Sequence, residues 1–193
     1  MTDNSLRIVV GISGASGAAY SQSVLTQLSG VGVETHLVVT RAAKLTASYE
    51  LGPDAELGPA TVTYGINDVA APISSGSFKT NGMIVAPCSV RTMSEIATGV
   101  TSSLLTRAAD VCLKERRPLV LMVRETPLHL GHLRTLAQLA EMGAIIAPPL
   151  PALYAEPKTV QDLIDQSAAR AIDLLGLDTG LAQRWGEDVG PAK

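Results

Sequence analysis

The sequence predicts a three-layer α/β fold around a mainly parallel sheet, and three observations carry that prediction. Short aliphatic runs recur along the chain, each near-continuously apolar, as in strands covered on both faces. Stretches with helical patterning separate them, and strand–helix alternation is the signature of parallel sheets with right-handed crossovers. Aromatic residues make up only 3% of the chain, with one Phe and one Trp, so the core has to be built from Val, Ile, Leu and Ala.

In chain order, the first strand is expected over Leu6–Ile12 and the first helix over Ser16–Leu28. A second strand over Thr35–Thr40 leads into a helix over Ala42–Leu51. The segment Gly52–Gly65 holds three Gly and two Pro and reads as a loop, as does Ala70–Asn81. The third strand, Gly82–Ala86, precedes helices over Thr92–Ala97 and Ser103–Arg116. Strands over Pro118–Val123 and Ala144–Ala147 are followed by helices over Leu130–Met142 and Thr159–Leu175. This order is Rossmann-like or flavodoxin-like, and such sheets bind ligands beyond the carboxyl ends of their strands. Residues 1–193 are expected to form a single domain, with 177–193 as a C-terminal tail.

Composition excludes several classes. A chain that is 46% hydrophobic with a mean hydropathy of +0.25 is not disordered. No apolar run approaches the ~18 residues of a membrane span, and no basic region precedes an apolar stretch at the N-terminus. Cys88 and Cys112 lack metal-ligand spacing and fit a reducing compartment, so a cytoplasmic location is expected. A net charge of −3 argues against nucleic acid as the main partner, and no membrane partner is expected.

Five motifs carry candidate chemistry. The first strand ends in Gly11-Ile-Ser-Gly14-Ala15-Ser16-Gly17 and opens onto a helix, a geometry that lets backbone approach an anion. It reads either as a tight packing turn or as a mononucleotide phosphate or flavin loop. Its spacing is not that of a dinucleotide fingerprint, and the second strand ends in Thr40-Arg41 rather than an acid. The third strand ends in Pro87-Cys88-Ser89-Val90-Arg91-Thr92, either a Ser N-cap or a second binding loop. Arg107, Asp110 and Lys114 share a helix face, either as solvated ion pairs or, with Arg124-Glu125 after the next strand, as a site for a second anionic substrate. His129 and His132 read as capping residues rather than metal ligands, since zinc would need further ligands; no metal is expected. Glu50, at the end of its helix, opposes that helix's dipole, a local conflict of the kind found at functional sites as well as on ordinary surfaces.

Taken together, GISGASG, SSGSF near residue 75, PCS-x-x-T, the LKERRPLV…RETPLH block and the late Tyr154 before Pro157 resemble the flavin prenyltransferases of the UbiX type. That group lies within the FMN-binding cysteine-decarboxylase-like flavoproteins, and the resemblance runs from about Leu6 to Glu187. It implies metal-independent transfer of a dimethylallyl group from dimethylallyl monophosphate to N5 and C6 of reduced FMN. The product, prenylated FMN, would serve a UbiD-type decarboxylase. The resemblance further implies that Gly14, Ala15, Ser16, Thr40, Ser89, Val90, Arg91, Thr92 and Arg124 bind FMN. Arg107, Lys114, Tyr154, Arg170 and Trp185 would bind the donor, with Ser16, Glu50, Lys114 and Glu125 catalytic. Val69 stands where some relatives carry Trp beside the prenyl group. A homo-oligomer, in this family a dodecamer with the flavin site shared between subunits, is also implied. Two other readings are an FMN carrier or accessory subunit of an aromatic-acid decarboxylase, and an FMN-dependent cysteinyl decarboxylase. The basic set Arg107, Lys114, Arg124 and Arg170 tells against a plain carrier, because FMN alone has one phosphate.

Overall fold

The computed structural model describes residues 6–191. These residues form strands β1 (Arg7–Ile12), β2 (Glu34–Val39), β3 (Val62–Tyr64), β4 (Gly82–Cys88), β5 (Leu119–Val123) and β6 (Ile145–Ile146). The helices are α1 (Ala18–Gly30), α2 (Arg41–Glu50), α3 (Val90–Ala97), α4 (Leu104–Lys114), α5 (Leu130–Glu141) and α6 (Val160–Asp173). All strands are parallel, in the order β3-β2-β1-β4-β5-β6. Without the short edge strand β3, the remaining five have the flavodoxin order; with it, the order is that of the Rossmann sheet. The strand order reverses between β1 and β4, so a ligand crevice is expected beyond their carboxyl ends.

Why the strand runs are continuously apolar is plain from the two faces of the sheet. Val9, Met83, Val85, Leu119 and Leu121 pack with Met93, Leu104, Leu105 and Leu139 of α3, α4 and α5. Their immediate neighbours Ile8, Val10, Ile84 and Val120 point the other way, onto Val24 and Leu28 of α1 and Ala168 and Ile172 of α6. Each fully buried aliphatic side chain is worth about 1.5–3 kcal/mol relative to exposure. Pro87 sits inside β4 where the register to β5 shifts between Val85 and Cys88, which spares the sheet the missing proline donor. No helix among the described residues is long and apolar enough to cross a membrane.

The structure corrects one expected loop. Within Gly52–Gly65, Val62–Tyr64 is a strand, paired with His36–Val38 of β2. Three residues are too few for a period-two signal, and Pro59 and Gly65 bracket them. Side chains hold the strand in place: the Thr61 N–H donates to Thr35 Oγ1 (3.0 Å) and the Thr35 N–H to Thr61 Oγ1 (3.1 Å). Tyr64 Oη lies 2.9 Å from Nδ1 of buried His36, whose Nε2 meets Glu34 at 3.0 Å.

Candidate active site

Two loops meet where the strand order reverses, and a buried serine registers them. The Ser13 hydroxyl donates to the Pro87 carbonyl (2.9 Å) and accepts from the Ser89 N–H (2.7 Å), while the Ser13 N–H also donates to Pro87 O (3.2 Å). Beyond Ser13 the chain turns tightly. A Cβ on Gly14 would lie 2.5 Å from the Ala42 Cβ, so only glycine lets α2 approach the loop. Gly17 adopts φ 114°, a left-handed conformation open to glycine, and starts α1 without a side-chain cap of its own.

The cap comes from Glu50. Its carboxylate accepts from the Gly17 N–H (2.9 and 3.0 Å) and the Ala18 N–H (2.8 Å). Although Glu50 ends α2, its charge is delivered to the positive end of α1, which resolves the dipole conflict read from the sequence. Burial pushes the Glu50 carboxyl up, but the Ser16 hydroxyl, the Ala18 and Gly17 N–H groups and the Arg124 charge outweigh it, holding the group below the ordinary carboxylate range. Glu50 is therefore ionised at neutral pH, and the anion at the start of α1 is part of the protein. The charge of Arg124 also acts on Tyr20, whose hydroxyl burial pushes up and Arg124 pulls down. The Arg124 charge thus lies within electrostatic reach of the start of α1, while its backbone N–H donates to Cys88 O (3.0 Å) at the end of β4.

The second loop is ordered by helix caps. Ser89 Oγ accepts from the Thr92 N–H (3.3 Å) and donates to Thr92 Oγ1 (3.2 Å). Thr40 caps α2 by accepting from the Ala43 N–H (3.1 Å). Val90 and Arg91 begin α3; the Arg91 side chain is 85% exposed and pairs with Glu95 (2.8 Å). Glu125 accepts from the Thr126 N–H (2.9 Å) in the loop after Arg124. His129 Nδ1 caps α5 by accepting from Gly131 and His132 N–H groups (3.0 and 3.3 Å), and the two imidazoles stack 3.6 Å apart. Cys88, directly before Ser89, and Cys112 in α4 are buried thiols, each pushed up to about 12 by burial.

The remaining expected site residues lie elsewhere in the chain. Arg107 and Asp110 do share a face and pair at 2.6 Å, while Arg107 Nε donates to Ser74 O (3.0 Å). Lys114 ends α4 and pairs with Glu115, against the backbone of Gly76. That end of α4 lies at the amino edge of the sheet, because the Met83 N–H at the start of β4 donates to Pro118 O (2.9 Å) only four residues after Lys114. Lys114 is thus at the edge opposite Ser16 and Glu50 of its own chain. Tyr154 in the turn before α6, Arg170 on α6 and Trp185 in the tail form a third group: Tyr154 meets Trp185 edge-on at 6.0 Å, and Arg170 pairs with Asp173 at 2.5 Å.

A cavity of about 550 Å³ beside this third group lies between α1, α6 and the tail, lined by Gln22, Gln27, Glu156, Asp165 and Gln183 among others. None of the loop residues around Ser16, Ser89 or Arg124 lines it. Sequence reasoning missed Ser13, Gln166 and Arg184, which order the loops and the tail. Ser13 lies inside the glycine motif, yet its partner is 76 residues away and leaves no local signal.

Comparison with known proteins gives the same picture. The family model described as Flavoprotein matches residues 1–171. The chain is 54% identical over 182 residues to the flavin prenyltransferase UbiX of Thauera aromatica, covering 93% of this chain and 94% of that protein. It is 53% identical over 186 residues to UbiX of Escherichia coli K12, covering 93% and 97%. Among solved structures, AnUbiX (PadA1) in complex with FMN and dimethylallyl pyrophosphate superposes with a TM-score of 0.89 at 47% identity, covering 94% and 98%. A dodecameric FMN-dependent UbiX-like decarboxylase from Escherichia coli O157:H7 superposes with a TM-score of 0.88 at 43% identity, covering 93% and 99%. With the Flavoprotein model matching residues 1–171 and UbiX relatives 53–54% identical over 93% of its length, this chain belongs to the flavoprotein family and, within it, to the UbiX flavin prenyltransferases.

Proposed function

We propose that the protein transfers a dimethylallyl group from dimethylallyl monophosphate to reduced FMN, giving prenylated FMN for a UbiD-type decarboxylase. The observation that carries this reading is the paired loop site at the strand reversal, in a chain about half identical to UbiX relatives over 93% of its length. The site fits FMN. Gly14 lets α2, capped by Thr40, pack against the glycine loop, the hydroxyls of Ser16, Thr40, Ser89 and Thr92 offer hydrogen bonds, and Arg124 supplies a positive charge. Because Glu50 already occupies the α1 N-terminus, the FMN phosphate is assigned to Arg124 and the Ser89–Thr92 loop, including the backbone N–H groups of Val90 and Arg91. Bound reduced FMN supplies the electron-rich N5 and C6.

The chain's own residues then do the rest. Lys114, Tyr154 and Arg170, with Arg107 nearby, hold the donor phosphate and stabilise the charge it gains as the allylic C–O bond breaks; one such preorganised donor is worth roughly 2.7–4 kcal/mol. Ionised Glu50, hydrogen-bonded to Ser16, faces the developing allyl cation, accepts protons through Ser16 as the ring closes, and acts with Glu125. Trp185 covers the prenyl side. The three groups of residues are separate in one chain, with Lys114 at the far sheet edge. The working site is therefore assembled between subunits of a homo-oligomer, a dodecamer as in the relative from Escherichia coli O157:H7. Residues 6–191 act as a single domain, and the protein works in the cytoplasm.

The test is anaerobic: protein, reduced FMN and dimethylallyl monophosphate are mixed, and the released flavin is weighed by mass spectrometry. A gain of one C5H8 unit is expected, lost in Glu50→Gln and Lys114→Ala. Tightly bound but unmodified FMN would overturn the reading in favour of a flavin carrier. The pyrophosphate, run in parallel, separates the two donor classes.

A further inference from the structure

The tail beyond α6 is fastened to one stripe of that helix at two points. Gln166 and Asp173 are seven residues apart, two helical turns, with Arg170 between them. The buried Gln166 amide engages Gln183 at both ends, accepting from its N–H (2.8 Å) and donating to its carbonyl (3.0 Å). Asp173, whose side chain is 9% exposed, receives both arms of the Arg184 guanidinium, at 3.0 and 3.2 Å. Arg170 donates to the same carboxylate at 2.5 Å. Trp185 follows Arg184 directly and meets Tyr154, whose hydroxyl accepts from Gln166 (3.4 Å).

We propose that Arg184, with Gln166, positions the donor-phosphate site by occupying Asp173 and seating Trp185 against Tyr154, so that Arg170 stays available to the phosphate. This rests on the prenyltransferase reading, in which Arg170 and Tyr154 hold that phosphate. The charge arithmetic is simple. Asp173 meets two guanidiniums and neutralises only one; the second, Arg184, is balanced by Asp178 (3.2 Å), whose 66% exposure lets solvent screen it, so positive charge remains for an incoming anion. Without Arg184, Asp173 has Arg170 as its sole partner, and the donor must break a partly buried pair to enter. Arg184 and Gln166 touch neither FMN loop in this structure, so their effect falls on the donor and not on FMN.

Trp185 is the only tryptophan, so its fluorescence reports the tail directly. In FMN-loaded Arg184→Met protein we expect dimethylallyl monophosphate to bind about tenfold more weakly, equivalent to ~1.4 kcal/mol. KM for the donor rises by the same factor while kcat and FMN affinity hold. Trp185 is already 64% exposed, so its mobility is the readout: in the apoprotein its fluorescence anisotropy falls. Arg184→Lys keeps the charge but not the two-armed pairing, and recovers donor binding in part. Adding Asp173→Asn to Arg184→Met restores donor affinity, because the carboxylate that captures Arg170 is gone. Unchanged donor affinity in Arg184→Met overturns the proposal, as does a double variant no better than the single. An unchanged Trp185 anisotropy overturns the hold on the tail. Failure of the underlying reading looks different: wild-type protein would then neither bind the donor nor prenylate flavin, whatever residue 184 is.

Discussion

Replacing Ser13 with alanine isolates the contact that sets the spacing of the two loops proposed to bind flavin. The substitution removes one oxygen and adds no volume, so packing around this buried position is kept. Pro87 O keeps the Ser13 N–H at 3.2 Å, but the Ser89 N–H loses its 2.7 Å acceptor. A donor left without a partner costs about 1–3 kcal/mol, and because Ser89 is only partly buried the lower half of that range applies, ~1–2 kcal/mol. For a chain of this size that is a fall in melting temperature of roughly 2–8 °C. The larger effect is expected on FMN, since the Ser89–Thr92 loop is no longer tied to the glycine turn; a loss of ~1 kcal/mol of binding is about fivefold in Kd. Thermal unfolding of the apoprotein at fixed concentration and quenching of FMN fluorescence on titration measure the two quantities. A Ser13→Ala protein that melts lower yet binds FMN like wild type would refute the claim that this serine spaces the loops. One unchanged in both would refute the energetic argument as well.

Glu50→Gln should be inactive and destabilised by about 1 kcal/mol at pH 7, the scale of a lost helix cap. Because the folded carboxyl is held below its ordinary value, its contribution is present above the unfolded pKa and is lost as pH falls through the folded one; melting curves of variant and wild type should converge below about pH 4. Gly14→Ala drives a methyl to within 2.5 Å of Ala42, and should cost about 1–3 kcal/mol of stability while weakening FMN binding, read in the same two assays. Co-expressing Glu50→Gln with Lys114→Ala should restore part of the activity that neither variant has alone, because mixed oligomers form some sites with both residues intact; absence of rescue would place Lys114 and Glu50 in one subunit's site. His129→Ala should destabilise by about 1 kcal/mol and His129→Asn much less, since asparagine can still accept from the first turn of α5, as thermal melts will show.

The central strands were legible because they are buried on both faces, so their apolar runs are unbroken, as in Met83–Ala86. Val62–Tyr64 escaped notice because an edge strand of three residues is held by cross-strand Thr and Tyr contacts rather than by its own pattern. Spacing correctly put Arg107 and Asp110 together, since helical periodicity is local. It said nothing of the sheet edge at which Lys114 emerges, which depends on the direction of α4 relative to β4 and β5. Glu50 was legible as a conflict but not in its resolution, because the helix it caps is not its own. The Gln166–Gln183 and Asp173–Arg184 contacts depend on where an irregular tail returns, and no periodicity encodes that.

The two buried cysteines have a practical consequence. With each thiol pushed up to about 12 by burial, almost no thiolate forms at neutral pH, and neither side chain is open to reagents or to an allylic electrophile in the neighbouring crevice. Cys88 belongs to a central strand and Cys112 to a helix packed on it, so alkylation of either requires the core itself to open. The pair is a native stopwatch: the rate at which a maleimide is consumed reads how often the centre of the sheet comes apart, with no label added to the protein.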